Sequence, residues 1–245
     1  MPVIEAGHLQ CDDWLKVFRS QRPWQAAIDG DRTRWVEGPL SDASVLVALT
    51  ERGGLLLTER SRSMRHHPGQ VALPGGRIEA SDRDARQAAY REAFEEIGLD
   101  SKRLQDLGRL PSYLTGSGYK VQPVVAWVHG SMDLHRDLSP DPGEVAAIFE
   151  VPLNFIFDPR HHRRHYWQAP EGQRAFYSIP WHCKQPERMR FCDVLPDDAQ
   201  AFASTGMKTL NPAEHEFFIW GATAAMLRNF YLLLHAHRDL FPAAP

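Results

Sequence analysis

The chain has 245 residues, 43% hydrophobic and 24% charged, a balance ordinary for a globular protein with a sizeable core. Its formal net charge of −3 excludes a general electrostatic affinity for nucleic acid. Three scattered cysteines, Cys11, Cys183 and Cys192, make neither a disulfide framework nor a zinc site and fit a reducing cytoplasm.

The opening Met1-Pro2-Val3-Ile4-Glu5 lacks the basic and apolar regions of a signal peptide. Residues 14–20 predict a short helix. Residues 43–49 and 55–59 predict two strands joined by a turn at Arg52-Gly53-Gly54. The short apolar run 71–73 is closed by Pro74-Gly75-Gly76, a turn signal whose paired glycines let backbone approach a ligand or a neighbouring strand. A helix is expected over 81–97. Ser81 with Asp84 forms a candidate capping box that would start it near Asp82, and Gly98 suits a left-handed C-cap. Tyr90, Ala93, Phe94 and Ile97 make its apolar face, expected to pack on a sheet. Ala85, Ala88 and Ala89 border the other face, either leaving room for a ligand or serving as good helix formers.

Further on, residues 104–110 and 121–128 predict strands and 151–157 a short helix. Residues 163–168 and 174–179 predict a hairpin around Pro170-Glu171-Gly172. The basic and aromatic run 160–167 fits that hairpin better than a site for stacking a base. A long last helix starts at Pro212, within an assignment of 212–238. Its apolar stretch, 217–234, approaches the length of a membrane span. Arg228, Asn229 and many small residues fit a buried or interface helix instead, which excludes a membrane partner and leaves room for a homodimer. Strands alternating with two main helices predict an α/β fold, an α/β/α sandwich around a mixed sheet.

The most informative segment is Arg91-Glu92-Ala93-Phe94-Glu95-Glu96-Ile97-Gly98. At roughly 100° per residue, Glu92, Glu95 and Glu96 share about a third of the helix circumference. Like charges at such spacing cost on the order of 0.2–0.5 kcal/mol per pair. They also crowd the helix end where cations are preferred. Local rules tend to be broken at functional sites, and a divalent cation removes both penalties. The competing reading is a solvated acidic face with Arg91 pairing to Glu95.

The Gly-Gly turn, loop, helix and Arg-Glu-Xaa-Xaa-Glu-Glu-Xaa-Gly together resemble the Nudix box of enzymes that hydrolyse nucleoside diphosphates linked to another group. From Gly76 to Arg91 the stretch is one position longer than the usual pattern, and Asp82 stands where a mid-loop glutamate is expected. That departure resembles the coenzyme A pyrophosphatase branch. So does Leu56-Leu57-Thr58-Glu59-Arg60-Ser61 followed by Arg65, Gly69 and Pro74-Gly75-Gly76, although Leu73 stands where that branch more often has Phe. Residues 220–228 carry a third similarity to the branch.

The resemblance implies a Nudix architecture in one domain over 1–245, with a core of about 40–182 and an insertion at 183–216. It implies hydrolysis of a phosphoanhydride in a small-molecule nucleotide, assisted by Mg2+ or Mn2+. It places the metal on Glu92 and Glu96, with Glu95 as an added or second-metal ligand and a catalytic residue. Arg91 then orients a carboxylate, and Gly75-Gly76 brings backbone to the site. The catalytic base is expected on a later loop at Glu144, with Glu150 behind it. Arg60, Ser61 and Arg65 are the candidates for holding anionic groups of the substrate, since arginine matches phosphate geometry. Other nucleoside diphosphate derivatives (a dinucleotide, ADP-ribose or a sugar nucleotide) are the alternative substrates. A non-catalytic nucleotide-binding module is the reading that the intact glutamate set disfavours.

Overall fold

The computed structural model describes residues 1–31, 38–169, 172–182 and 216–241. In chain order the helix α1 (Cys11–Arg19) is followed by strands β1 (Ser41–Thr50), β2 (Gly54–Arg60), β3 (Val71–Ala72) and β4 (Gly75–Arg77), then helix α2 (Ala85–Ile97). Next come β5 (Leu104–Arg109), β6 (Tyr113–Leu114), β7 (Tyr119–Val128), α3 (Leu134–Asp137), β8 (Val145–Pro152) and α4 (Leu153–Ile156). The chain closes with β9 (Arg163–Ala169), β10 (Gly172–His182), β11 (Glu216–Trp220) and α5 (Gly221–Ala236).

The main sheet is mixed, in the order β3-β2-β1-β7-β5, with β8 also pairing β2, β4 pairing β1 and β6 pairing β7. Its spine is the parallel pair β1 and β7, in register from Ser41↔Tyr119 to Thr50↔Val128. Strands buried on both faces read as near-continuous apolar runs, and Val45 to Leu49 and Val124 to Val128 are such runs. Leu46, Ala48, Val124 and Ala126 face α2 and pack on Ala89, Ala93 and Ile97. Val47, Leu49, Val125 and Trp127 face the other way, toward Trp14, Phe157, Phe230 and Leu234. Trp14 and Phe230 meet there with ring centroids 5.6 Å apart. The result is the expected sandwich, with α2 on one face and α1 with α5 on the other. A second, three-stranded sheet, β11-β10-β9, adds to the α5 side, where Phe217 stacks on Phe149 at 3.7 Å.

Several sequence expectations need correction. The helix begins at Ala85 rather than near Asp82, because Asp84 is its N-cap and accepts a hydrogen bond from the Gln87 N–H at 2.8 Å. The expected face is also rotated. Phe94 is exposed and Tyr90 half-buried, while Ala88, Ala89, Ala93, Glu96 and Ile97 point inward. Small side chains let the helix sit close to the sheet, so alanine wins the buried stripe over the bulkier rings. Gly98 takes the left-handed cap as expected, with φ of 70°.

Residues 145–150, which carried no assignment, form most of β8, and the short helix begins only at Leu153. The long last helix starts at Gly221, not at 212. Residues 216–220 form β11, in which Phe217 and Ile219 are buried and Phe218 and Trp220 partly exposed, a period of two hidden within a long apolar run. Gly221, at φ of 61°, turns the chain from strand to helix. The proposed insertion at 183–216 lies outside the described residues apart from Glu216, which opens β11.

Candidate active site

The site forms where the C-terminal half of α2 passes β4 and the end of β2. β4 pairs with β1 through Gly75↔Val45 and Gly76↔Ser44, which fixes the Gly-Gly turn beside the helix. The Gly75 N–H donates to Glu96 Oε2 at 3.0 Å. Gly76 lies so close to Glu92 that an added Cβ would fall 2.5 Å from its carboxyl carbon. The missing side chain is therefore what lets the two meet.

Arg91 organises the neighbouring carboxylates. Its Nη1 donates to Glu92 Oε1 at 2.9 Å and to Glu95 Oε2 at 2.8 Å. Its other edge grips Asp82, Nε to Oδ1 at 3.2 Å and Nη2 to Oδ2 at 2.9 Å, and also donates to the Arg77 carbonyl at 3.0 Å. The Asp82 carboxylate is almost wholly buried, and the Arg91 hydrogen bonds hold its pKa below the ordinary value. Asp82 thus ties the loop before α2 to the arginine of the box. Its nine-residue distance from Arg91 gave no helical spacing by which to pair them.

Glu96 is 4% exposed, and burial pushes its pKa up to about 8. The Gly75 N–H and Arg60 oppose that shift, while the charges of Glu92 and Glu144 add to it. Arg60, the last residue of β2, lies with Nη1 3.9 Å from Glu96 Oε1. Burial also raises the pKa of Glu92, against Arg91 and with help from Glu95 and Glu144.

Glu144 reaches this cluster because its loop is anchored on both sides. The Asp141 N–H donates to the Glu96 carbonyl at 2.9 Å, using an otherwise orphaned acceptor at the helix end. The Ser61 N–H donates to the Glu144 carbonyl at 2.7 Å. Glu150, the reserve candidate, is occupied elsewhere: it binds Thr50 and Arg52 on the far part of β1 and its turn.

The sequence candidates therefore divide. Arg60, Gly75, Gly76, Arg91, Glu92, Glu96 and Glu144 come together. Glu95 is at the rim, 56% exposed and held by Arg91. The Ser61 hydroxyl turns back to Ser63 at 2.8 Å. Arg65 lies exposed in the loop between β2 and β3, without a hydrogen bond or ion pair among the described residues.

Among the described residues no three acidic, histidine or cysteine groups already stand gathered as a metal cage. Glu92 and Glu96 spend oxygens on Arg91 and on the Gly75 N–H. The donor chemistry nonetheless fits a hard divalent cation. Glu96 is a buried carboxylate made harder to ionise by two further carboxylates, the arrangement that a cation relieves. Each oxygen engaged here has a second lone pair, so ligation does not require breaking every existing bond.

The mixed-sheet sandwich with its glutamate-bearing helix over a Gly-Gly turn has the architecture expected of a Nudix hydrolase. Residues 40–172 match the NUDIX domain. A Nudix hydrolase called NudL from Enterobacter sp. (strain 638), described as uncharacterized, is 32% identical over 94% of this chain and 97% of its own length. The protein of that name from Citrobacter koseri is 31% identical over the same shares. A MutT protein from Methanosarcina mazei Go1 overlays half of this chain and 83% of its own, with 23% identity and a TM-score of 0.40. This chain belongs to the Nudix family. It is a pyrophosphohydrolase of small nucleoside diphosphate derivatives, in a family that generally uses divalent metal ions. Among the described residues no helix is long and apolar enough to cross a membrane.

Proposed function

We propose that this enzyme cleaves the diphosphate of coenzyme A or its thioesters, giving 4′-phosphopantetheine and 3′,5′-ADP, with Mg2+ or Mn2+ as cofactor. The observation that carries the reading is the position of Arg60. The stretch from Leu56 to Gly69, which resembles the coenzyme A branch, ends β2 at Arg60, and its guanidinium stands 3.9 Å from Glu96. One residue of that stretch, Arg60, thus lies beside a box glutamate, which supports the reading.

Glu92 and Glu96 would hold the metal, with Glu95 at the rim as an added ligand. Such an ion, when bound, neutralises diphosphate oxygens and makes a coordinated water more acidic. Arg91 keeps the Glu92 and Glu95 carboxylates in place, and Asp82 keeps Arg91 in place. Gly75 holds Glu96 through its N–H. Arg60 and Arg65 attract the anionic groups of the substrate, Arg65 from the loop and Arg60 from inside the site. Glu144 takes the proton of the attacking water as its oxygen bonds to one phosphorus and the bridging P–O bond breaks. The leaving group departs as a phosphomonoester, so no further reactant is needed.

The test is one turnover screen of coenzyme A, dinucleotides, ADP-ribose and nucleoside triphosphates, each with magnesium and with manganese. Coenzyme A should be cleaved at its diphosphate. Brisk turnover of ADP-ribose or NADH with none of coenzyme A would overturn the substrate assignment.

A further inference from the structure

Asp141 joins the box helix to the turn that carries Glu144. Its N–H donates to the Glu96 carbonyl at 2.9 Å, and two residues earlier the Ser139 N–H donates to the Ile97 carbonyl at 2.9 Å. Both carbonyls belong to the last turn of α2, where intrahelical donors run out. The segment 139–141 therefore rides on the end of the helix that bears Glu92 and Glu96.

From Asp141 onward the main chain folds back on that one residue. The Gly143 N–H donates to Asp141 Oδ1 at 2.8 Å, the Glu144 N–H to the Asp141 carbonyl at 3.0 Å and the Val145 N–H to the same carbonyl at 2.8 Å. Pro142 has no N–H, so every main-chain donor from 142 to 145 ends on Asp141. In such a turn an aspartate side chain takes the place of a backbone acceptor. The proline limits its own φ, but Gly143, the residue type with the most backbone freedom, stands directly before Glu144.

The Asp141 carboxylate restrains that glycine where burial does not. Residues 141–144 are all exposed, and the core begins again at Val145, 4% exposed. Main-chain bonds hold only the ends of the turn, through the Glu96 carbonyl on one side and the Ser61 N–H on the Glu144 carbonyl on the other. Among the described residues the Asp141 carboxylate makes no ion pair and accepts no other hydrogen bond. Its single contact is to the N–H next to the proposed base.

We infer that Asp141 is a positioning residue, whose carboxylate fixes the Gly143 N–H and so sets the direction in which the turn presents Glu144 to Glu92 and Glu96. The inference rests on the proposed role of Glu144 as the base. It does not depend on which nucleoside diphosphate derivative is the substrate.

Asparagine supplies the control, because its side-chain oxygen accepts the same hydrogen bond without the charge. The experiment measures kcat, KM and thermal midpoint for the full chain and for Asp141→Ala, Asp141→Asn, Glu144→Gln and the double variant Asp141→Ala/Glu144→Gln. The substrate is coenzyme A with magnesium, or the best substrate of the turnover screen if coenzyme A is not cleaved. In that event the proposed substrate fails while Asp141 is still tested. Asp141→Ala should lower kcat by about tenfold, part of the roughly 100-fold that misplacing a reacting group by an ångström costs, with KM little changed. Its melting temperature should stay close to that of the wild type. Asp141→Asn should restore most of the lost kcat. In the Glu144→Gln background Asp141→Ala should add nothing, since residues acting through one another are non-additive. A wild-type kcat in Asp141→Ala beside a slow Glu144→Gln would overturn the inference and leave Glu144 as the base. Wild-type turnover in Glu144→Gln would remove the base and the inference together. A loss in Asp141→Ala that persists in full without Glu144, that asparagine does not restore, or that comes with a marked fall in melting temperature would show Asp141 acting elsewhere and overturn the inference as well.

Discussion

Gly76 and Glu92 are in contact that only a glycine permits, since a Cβ at residue 76 would stand 2.5 Å from the Glu92 carboxyl carbon. The obstacle is the end of a flexible side chain, so Gly76→Ala can be accommodated by moving Glu92 rather than by unfolding β4. The fold should survive with its melting temperature little changed. Activity should fall by about 100-fold, because displacement of a reacting group by an ångström has that effect. Circular dichroism melts beside steady-state kinetics check both halves, and wild-type turnover in this variant would remove Glu92 from the machinery.

Glu96 provides the second prediction. Glu96→Gln keeps an oxygen for the Gly75 N–H and removes a charge that burial makes unfavourable. The variant should be as stable as the wild type or more so. Turnover should drop by about 100-fold or more, typical of losing transition-state charge stabilisation. Isothermal titration with Mn2+ should show weaker binding in parallel. Near-wild-type kcat would sink the assignment of Glu96 as a ligand.

Much of this was legible in the sequence, for reasons that differ by residue. The Gly98 cap, the Gly-Gly turn and the crowded glutamates are local signals, carried by neighbours in the chain. The burial of Glu96 was not, because the apolar face of α2 was read from Tyr90 and Phe94, the largest side chains. Helix-to-sheet distance selected Ala89 and Ala93 instead, which rotates the buried stripe onto Glu96. The Asp82–Arg91 pair bridges a loop, and no periodicity connects such positions. β11 was absorbed into the last helix because Glu216 to Trp220 continues directly into the apolar α5.

Glu144 gives a kinetic prediction. Its loop is clamped to the Glu96 and Ser61 backbone, and its charge is felt by both Glu92 and Glu96. Glu144→Gln removes a base without removing the clamp, which uses main-chain atoms. The expected result is a fall in kcat of about 100-fold with little change in KM, within the range for lost general-base catalysis. A kcat within a few-fold of wild type would place the base elsewhere.

His162 sets a pH dependence of stability far from the site. Its Nε2 donates to the Ile156 carbonyl at 2.7 Å, and Arg228 Nη1 donates to its Nδ1 at 3.2 Å. Both contacts suit the neutral ring, and burial, aided by the Arg228 charge, pushes its pKa down to about 4. An unfolded histidine titrates near 6.5. The folded state therefore binds fewer protons between these values, and stability rises with pH across that window. The contribution is fully present above about pH 6.5, is lost as pH falls toward 4, and changes no further below it. Partial exposure keeps the total to at most about 3 kcal/mol. Urea unfolding of wild type and His162→Gln at pH 7.5, 6 and 4.5 isolates this group from the carboxylates common to both. The wild type should lose more stability than His162→Gln over that range, whereas parallel losses in the two proteins would show that His162 is not buried in its neutral form.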